Sequence, residues 1–534
     1  MSDFLSLTQI PLKSQTNQIE SKFQNRKETL FAEEDFSQIK EDSINKELTL
    51  GKNVREKYFV QKRLKQKLNK ENESHNCKKI IDNLTISHDY YEKCQNMTVN
   101  INQLKEMLIA FNSTDVNQKY LGLVGLRKIL CLLDPPIQII LDMDILPLII
   151  QLLNNSPVEF QYEALWCLIN ISSGNQAQVA KLKNEGGIDK ILELLDHNMN
   201  EIKELAIWCI ENISLDSSKM VNYLIRKKVL NKLMTILSIN NSEIICMRCI
   251  FTIKNLINHY NKNEKNKIDL NRVINLVSTY MIRIKYDCNN KDIRQLYYDS
   301  LSILGHLSEK YNECKVSILE SGVLPYIIEL LRNKQYEKEL FLILGGLKVI
   351  GNILSGNANI TQKVLDLNIY DILKKYMFHE NNRIKKEANW IISNIAAGTE
   401  KNIIDLLDNG FFPLIIQVFE SERMDIRIEA SWALCNFSQI KIEKYLQNLI
   451  NQGLLRAVCE CLKSKFNNEV AIALEALSNL LVYGKRHSCN GINFVAYEME
   501  KMGMLNDLEN LQYNPNELVY QKSLSIIEHF FSYE

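Results

Sequence analysis

One helical phrase recurs along this chain at a nearly constant interval, and that interval limits the fold before any single motif is considered. The phrase is an apolar helix that closes on an Asn. It reads EALWCLINISSG (163–174), ELAIWCIENISLD (204–216), RCIFTIKNLI (248–257), GLKVIGNILSG (346–356), EANWIISNIAAG (387–398), EASWALCNFS (429–438) and ALEALSNLL (473–481). The residues four before each Asn are Trp166, Trp208, Phe251, Lys348, Trp390, Trp432 and Glu475, and most steps between them are 42 or 43 residues. The one long gap, 97 residues from Phe251 to Lys348, has room for a degenerate copy. DSLSILGHLSE (299–309) fills it, with Ser302 and His306 at the marker positions, and the polar insertion NKNEKNK (261–267) accounts for the extra length.

A second phrase sits between these helices: a Gly or Asp, then apolar residues, often with a Pro. Examples are MDILPLIIQLL (143–153), SGVLPYIIELL (321–331) and NGFFPLIIQVF (409–419). Gly suits a helix C-terminus and Pro the first turn of the next helix. Each unit therefore reads as a short helix followed by two longer ones. A period near 42 with this content is the armadillo/HEAT class, in which no unit buries its apolar face alone and stacking creates a long concave side. Composition agrees: 46% of residues are hydrophobic, while 18 Gly and 8 Pro are few for a turn-rich β architecture. The expected fold is all-α, an armadillo-repeat right-handed superhelical solenoid of about ten repeats over 98–534.

Residues 1–95 differ. They are polar, with few sustained apolar faces, and are expected to be largely disordered in isolation. Charge is segregated there. Seven acids against two lysines lie between Glu28 and Glu47, and eight bases against two acids between Gly51 and Asn72. The second stretch reads either as a solvated basic helix or as a segment that folds on an acidic partner. Formal net charge is zero, so no overall field calls for nucleic acid or a membrane. The start MSDFLSLTQI lacks the features of a signal peptide, and no apolar run is long enough to span a bilayer. Thirteen scattered cysteines, such as Cys167, Cys209 and Cys435 inside apolar helices, suit reduced core thiols. Cys246 and Cys249 have C-x-x-C spacing without a second pair, so no metal is expected, and no cofactor. No G-x-S-x-G, P-loop or H-E-x-x-H signature appears, so the chain is not expected to be an enzyme.

Every tryptophan of the chain, Trp166, Trp208, Trp390 and Trp432, has an Asn at i+4: Asn170, Asn212, Asn394 and Asn436. Asn is about one residue in nine here, so four coincidences arise by chance about once in ten thousand. The spacing puts each pair on one helix face, and equal repeat positions put the pairs in a ladder. A Trp in a helix is ordinarily core, whereas Asn in a helix interior is poor for propensity and expensive to bury unpaired. A ladder of carboxamides suits the main chain of an extended peptide. Rows of indoles suit alkyl stems topped by ammonium or guanidinium groups. Glu163, Asp216, Asp299 and Glu429 lie near the markers and would favour Lys or Arg.

On these motifs the chain resembles importin alpha from about Val99 to the C-terminus. The resemblance is carried by LWCLINISSGN, RIKKEANWIISNIAAGT, MDIRIEASWALCN, PPIQIILDMDILP (135–147) and LVYQKSLSIIEHFFSYE (518–534). It implies an adaptor that binds nuclear localisation signals and shuttles between cytoplasm and nucleus, with cargo, importin beta and a recycling exportin as partners. A major site would comprise Trp166, Asn170, Ser173, Gly174, Trp208, Asn212, Asp216 and Asn255. A minor site would comprise Lys348, Asn352, Thr361, Trp390, Asn394, Glu429, Trp432 and Asn436. Three departures from the family pattern, Phe251 for Trp, Val179 for Thr and Leu205 for Gln, imply a degraded major site. The importin-beta-binding segment would lie near 51–72, with Arg55, Lys57, Lys62, Arg63, Lys65 and Lys67, although it lacks an arginine run. The same segment would also compete with cargo for the groove. Another armadillo scaffold, or an adaptor specialised for restricted cargo, remains an alternative.

Overall fold

The computed structural model describes Ile80 and residues 84–531, apart from 133, 240–241, 261–267 and 489–491. The expected disordered region up to 79, the acidic stretch, the basic segment 51–72 and the insertion 261–267 lie outside the described residues. What is described is helical, without a strand, and built of armadillo repeats. By contact it divides into two units, whose described parts are 80–306 and 307–531.

Among the described residues, helices of the first unit already occur before the expected boundary at 98, with α1 at His88–Asn96. Only Tyr91 and Cys94 of α1 are buried, too few to stand out in a polar stretch. Tyr91 stacks on Tyr120 at 6.0 Å, and Lys128 Nζ donates to the carbonyls of Gln95 (2.5 Å) and Met97 (2.6 Å). Helices α2 (Leu104–Phe111) and α3 (Val116–Leu130) follow. Three repeats then alternate two short helices with one long helix: α4 (Ile137–Asp142), α5 (Leu146–Gln151) and α6 (Val158–Ser172); α7 (Gln176–Asn184), α8 (Gly187–Glu193) and α9 (Asn200–Ser214); α10 (Ser218–Arg226), α11 (Val229–Ile239) and α12 (Glu243–His259). Among the described residues, the degenerate copy shows α13 (Leu270–Arg283) and α14 (Lys291–Lys310), within which the unit boundary falls.

The second unit continues the pattern with α15 (Asn312–Glu320), α16 (Val323–Arg332) and α17 (Leu340–Leu354); α18 (Ala358–Leu365), α19 (Tyr370–Tyr376) and α20 (Asn382–Ala396); α21 (Glu400–Asp408), α22 (Phe411–Ser421) and α23 (Met424–Phe437). It ends with α24 (Glu443–Asn451), α25 (Leu454–Cys461), α26 (Asn467–Arg486), α27 (Phe494–Lys501), α28 (Leu505–Asn510) and α29 (Glu517–Phe530). Only the third helix of each repeat is long, where the sequence suggested two. The second varies: it has 11 residues in α11 and α22, and 7 in α8, which gives way to a 3-10 turn at Leu194–Asp196.

Local chemistry repeats with the helices. Asn175, Ser217, Asn357 and Thr399 each stand five residues after a ladder Asn and cap the next helix, accepting from the amide three residues on. Each such cap contributes about 1 kcal/mol. Gly410 turns the chain into α22 with φ 71°, and Lys228 adopts nearly the same conformation, φ 58°, at a cost of about 1 kcal/mol for its Cβ. The long helices stack in sequence, α3 on α6, α6 on α9 and α9 on α12 in one unit, and α17 on α20, α20 on α23 and α23 on α26 in the other. Between them lie fully buried residues such as Leu168, Ile213, Ile391 and Leu434. Burying each contributes about 1.5–3 kcal/mol. Cys246 and Cys249 belong to this interior: the Cys246 thiol donates to the Tyr280 hydroxyl at 2.8 Å, and burial pushes both thiols upward in pKa.

A polar rung runs through the apolar stack. Asn212 Nδ2 donates to Ser172 Oγ of the preceding long helix (3.2 Å), Asn255 to Ser214 (3.0 Å), Asn352 to Ser308 (3.2 Å) and Asn479 to Ser438 (3.2 Å). Ser172, Ser214 and Ser438 in turn donate to the carbonyl three residues earlier, at 2.7–2.8 Å. Asn212, Asn255 and Asn352 are buried, so their amides need an acceptor. Removing one by Ser214→Ala is expected to destabilise the 80–306 unit by about 1–3 kcal/mol, read as a lower urea midpoint. Ser238→Ala, at an exposed hydroxyl, should leave that midpoint unchanged.

Candidate functional site

In the 80–306 unit the two indoles come together. Trp166 on α6 and Trp208 on α9 meet edge to face, centroids 5.3 Å apart, and Tyr162 closes on Trp166 at 6.4 Å. Both indoles are only 8% exposed. Arg248, three residues before Phe251 on α12, lies 4.0 Å over the Trp208 ring and bonds Glu204 (3.3 Å) and Glu211 (3.1 Å). Lys254 repeats this arrangement: its ammonium is 4.2 Å from the Phe251 ring and 2.7 Å from Asp299. Burial raises the Asp299 pKa even with Lys254 beside it. Glu163 accepts from Arg127 Nε (2.5 Å) and Gln95 Nε2 (2.7 Å).

The other residues of the expected major site are engaged in the fold. Asn170 Nδ2 donates to the Trp166 carbonyl (3.0 Å) and contacts the Cys131 sulfur (3.4 Å), and Ser173 Oγ donates to the Asn170 carbonyl (2.7 Å). At Gly174 a Cβ would strike the Gln178 side chain, which caps the turn. Asp216 is buried and accepts from Ser217 (3.0 Å). Val179 and Leu205, the apolar departures, are buried in the core.

The ladder of the 307–531 unit is built differently. Trp390 on α20 and Trp432 on α23 are half-buried rather than buried. The Trp390 ring lies against Gly351 of α17, where a Cβ would collide with Cζ3, so glycine is what lets the indole settle there. Glu429 is buried and accepts from Ser393 Oγ at 3.3 Å. Asn394 and Asn436 follow Leu354 and Ala396 at the positions where the other rungs have Ser. Asn436 is 3% exposed; its Oδ1 accepts from Gln439 (3.2 Å), and its Nδ2 has no hydrogen-bond partner among the described residues. Asn352 donates to Ser308, Thr361 Oγ1 to the Leu354 carbonyl (3.1 Å), and Lys348 pairs with Glu309 at 2.9 Å.

Three residues of consequence escaped the sequence reading. Arg248 and Lys254 pair across about 40 residues of chain, which local spacing does not reveal. Glu387 was legible, because it stands three before Trp390 as Glu163 and Glu429 stand before theirs. It makes no ion pair among the described residues, and its carboxyl is held above the usual range. Burial is the main cause; Glu429 and Glu309 add to it, and Lys348 and Lys386 oppose it.

Residues 134–173 match the armadillo/β-catenin-like repeat, and 493–534 the atypical Arm repeat. Importin subunit alpha-3 of Arabidopsis thaliana is 36% identical over 239 residues, 44% of each chain. Importin subunit alpha-2 of Caenorhabditis elegans is 37% identical over 240 residues, 45% of this chain and 44% of its own. Importin subunit alpha of Saccharomyces cerevisiae is 33% identical over 92 residues, 17% of each. The chain is therefore importin-alpha-like and carries armadillo repeats. It spans less than half the length of these curated relatives. For the fold alone, a crystal structure of an engineered protein superposes with a TM-score of 0.64 at 17% identity, covering 81% of this chain and all of that one.

If a basic ligand binds the second ladder of this importin-alpha-like chain, the raised pKa of Glu387 gives that binding a pH dependence. A cation bound beside it favours the ionised form, so binding of a basic ligand strengthens as pH rises through the elevated pKa and weakens below it. A lysine-rich peptide should therefore bind more weakly at about pH 5 than at about pH 7.5 in fluorescence anisotropy, and Glu387→Gln should flatten that difference.

Proposed function

We propose that this chain is a nuclear import adaptor that holds lysine- or arginine-rich localisation signals of cargo and links them to importin beta. The observation that carries this reading is the ladder on α20 and α23. Half-buried Trp390 and Trp432 offer ring faces, Glu387 and Glu429 offer negative charge, and Asn436 offers a buried amide donor without an acceptor. An extended basic peptide meets all three needs. Its carbonyl takes the Asn436 donor, its alkyl stems lie along the indoles, and its ammonium groups face the carboxylates. The likeness to importin alpha chains supports the same reading.

On this reading the partners are cargo proteins with basic signals, importin beta and a recycling exportin, and the protein works in both cytoplasm and nucleus. The N-terminal bases Arg55, Lys57, Lys62, Arg63, Lys65 and Lys67 would engage importin beta. Adaptation to a restricted set of cargo is the second reading, favoured by the occupied state of the Trp166–Trp208 ladder.

A lysine-rich signal peptide should bind the full chain with micromolar or better affinity by fluorescence anisotropy. Trp432→Ala or Glu429→Lys should weaken it at least tenfold, about 1.4 kcal/mol; unchanged affinity in both would remove the late ladder from the mechanism. Deleting residues 1–75 should abolish capture by importin beta in a pull-down, and retained capture would place that contact elsewhere.

A further inference from the structure

We infer that Arg248 and Lys254 stand in for a ligand's basic side chains in the Trp166–Trp208–Phe251 ladder, so that the chain takes a single basic cluster, on Trp390 and Trp432. This rests on the proposed peptide-binding role and specifies which ladder performs it.

A slot for a basic side chain needs an aromatic face and a carboxylate beside it. The Trp208 and Phe251 slots of the 80–306 unit are filled from within. The Arg248 guanidinium covers the Trp208 ring and satisfies Glu204 and Glu211. The Lys254 ammonium covers Phe251 and satisfies Asp299, which is 1% exposed. An incoming lysine would have to break an ion pair of its own kind to make the equivalent one. The internal cation also has the advantage of attachment, since it loses no translational freedom on binding. The amides are committed in parallel: Asn212 to Ser172 and Asn255 to Ser214. This ladder therefore presents no open ring face at Trp208, and the amides of both rungs already donate within the stack.

The Trp390–Trp432 ladder differs at three points, although Asn352 there still donates to Ser308. The rings are half-buried, Glu387 has no ion pair among the described residues, and the Asn436 donor is unmet because Ala396 replaces the rung serine. Arg248 is thus a specificity residue. It occupies the position three before the marker, where Glu163, Asp299, Glu387 and Glu429 put a carboxylate, and so reverses the charge of that slot. The partner that fits is a protein segment with one short run of Lys or Arg.

Isothermal titration of the full chain with a lysine-rich peptide tests this. The wild type should take one peptide per chain, and Trp432→Ala should remove it. The double variant Arg248→Ala/Lys254→Ala should take two, and should restore binding when combined with Trp432→Ala. Because Ala at 254 strands Asp299, Arg248→Gln/Lys254→Gln provides a milder pair, with helicity by circular dichroism as the check on folding. Hydrogen exchange on the wild type gives a readout that needs no variant: peptide should protect Met424–Phe437 and leave Asn200–Ser214 unchanged. Two peptides on the wild type, protection of Asn200–Ser214, or folded double variants that still take one peptide would each overturn the inference while leaving the adaptor role intact. No binding to any form would overturn both.

Discussion

The hydrogen bond from an Asn carboxamide to a serine on the preceding long helix is the contact on which the stack depends. Apolar burial supplies most of the energy, but it is non-directional and tolerates a sliding helix. A buried amide does not tolerate sliding, because losing its acceptor costs about 1–3 kcal/mol. Asn212–Ser172, Asn255–Ser214, Asn352–Ser308 and Asn479–Ser438 therefore pin one helix to the next. The pinning also fixes everything at a constant offset from the Asn. Trp208 four before Asn212, Arg248 seven before Asn255, and the caps Ser217 and Asn357 five after Asn212 and Asn352 inherit that register.

The same carboxamide cannot hold the stack and a peptide through one N–H at once. Where serine precedes, the donor serves the fold; where Ala396 stands, the Asn436 donor is left over. An unmet buried donor is a local penalty that a ligand carbonyl can relieve, so part of the binding energy is already stored in the free protein. The difference between a structural rung and a binding rung comes down to a hydroxyl two residues after the previous Asn.

Much of this was legible in the sequence. The 42-residue period, the Trp–Asn spacing, and the Gly and Pro punctuation each have a local cause, and each reappears as a long helix, a shared face or a helix boundary. The state of the rings was not legible. Nothing near Trp166 announces that Trp208 will close on its edge, or that Arg248 will lie over Trp208 from the next repeat. These contacts join residues one period apart, and the repeat pattern gives that neighbourhood without giving side-chain direction. Helix α1 was missed for a related reason: two buried positions in nine leave no apolar stripe, and its anchors, Tyr120 and Lys128, lie on α3.

On the proposed role, the comparison of Asp299 with Glu387 indicates what would select a cation. Both carboxyls are pushed upward in pKa by burial, so burial alone does not distinguish a filled slot from a vacant one. Asp299 has Lys254 at 2.7 Å, whereas the lysines that act on Glu387 reach it only through the field. With equal numbers of acidic and basic residues, 64 of each, the chain has no global charge to draw a basic ligand in. Selectivity must come from carboxylates whose counter-ion is missing at contact distance. A count of acids beside the tryptophans does not separate the two ladders; the cations over Trp208 and Phe251, the depth of the rings and the Asn436 donor do.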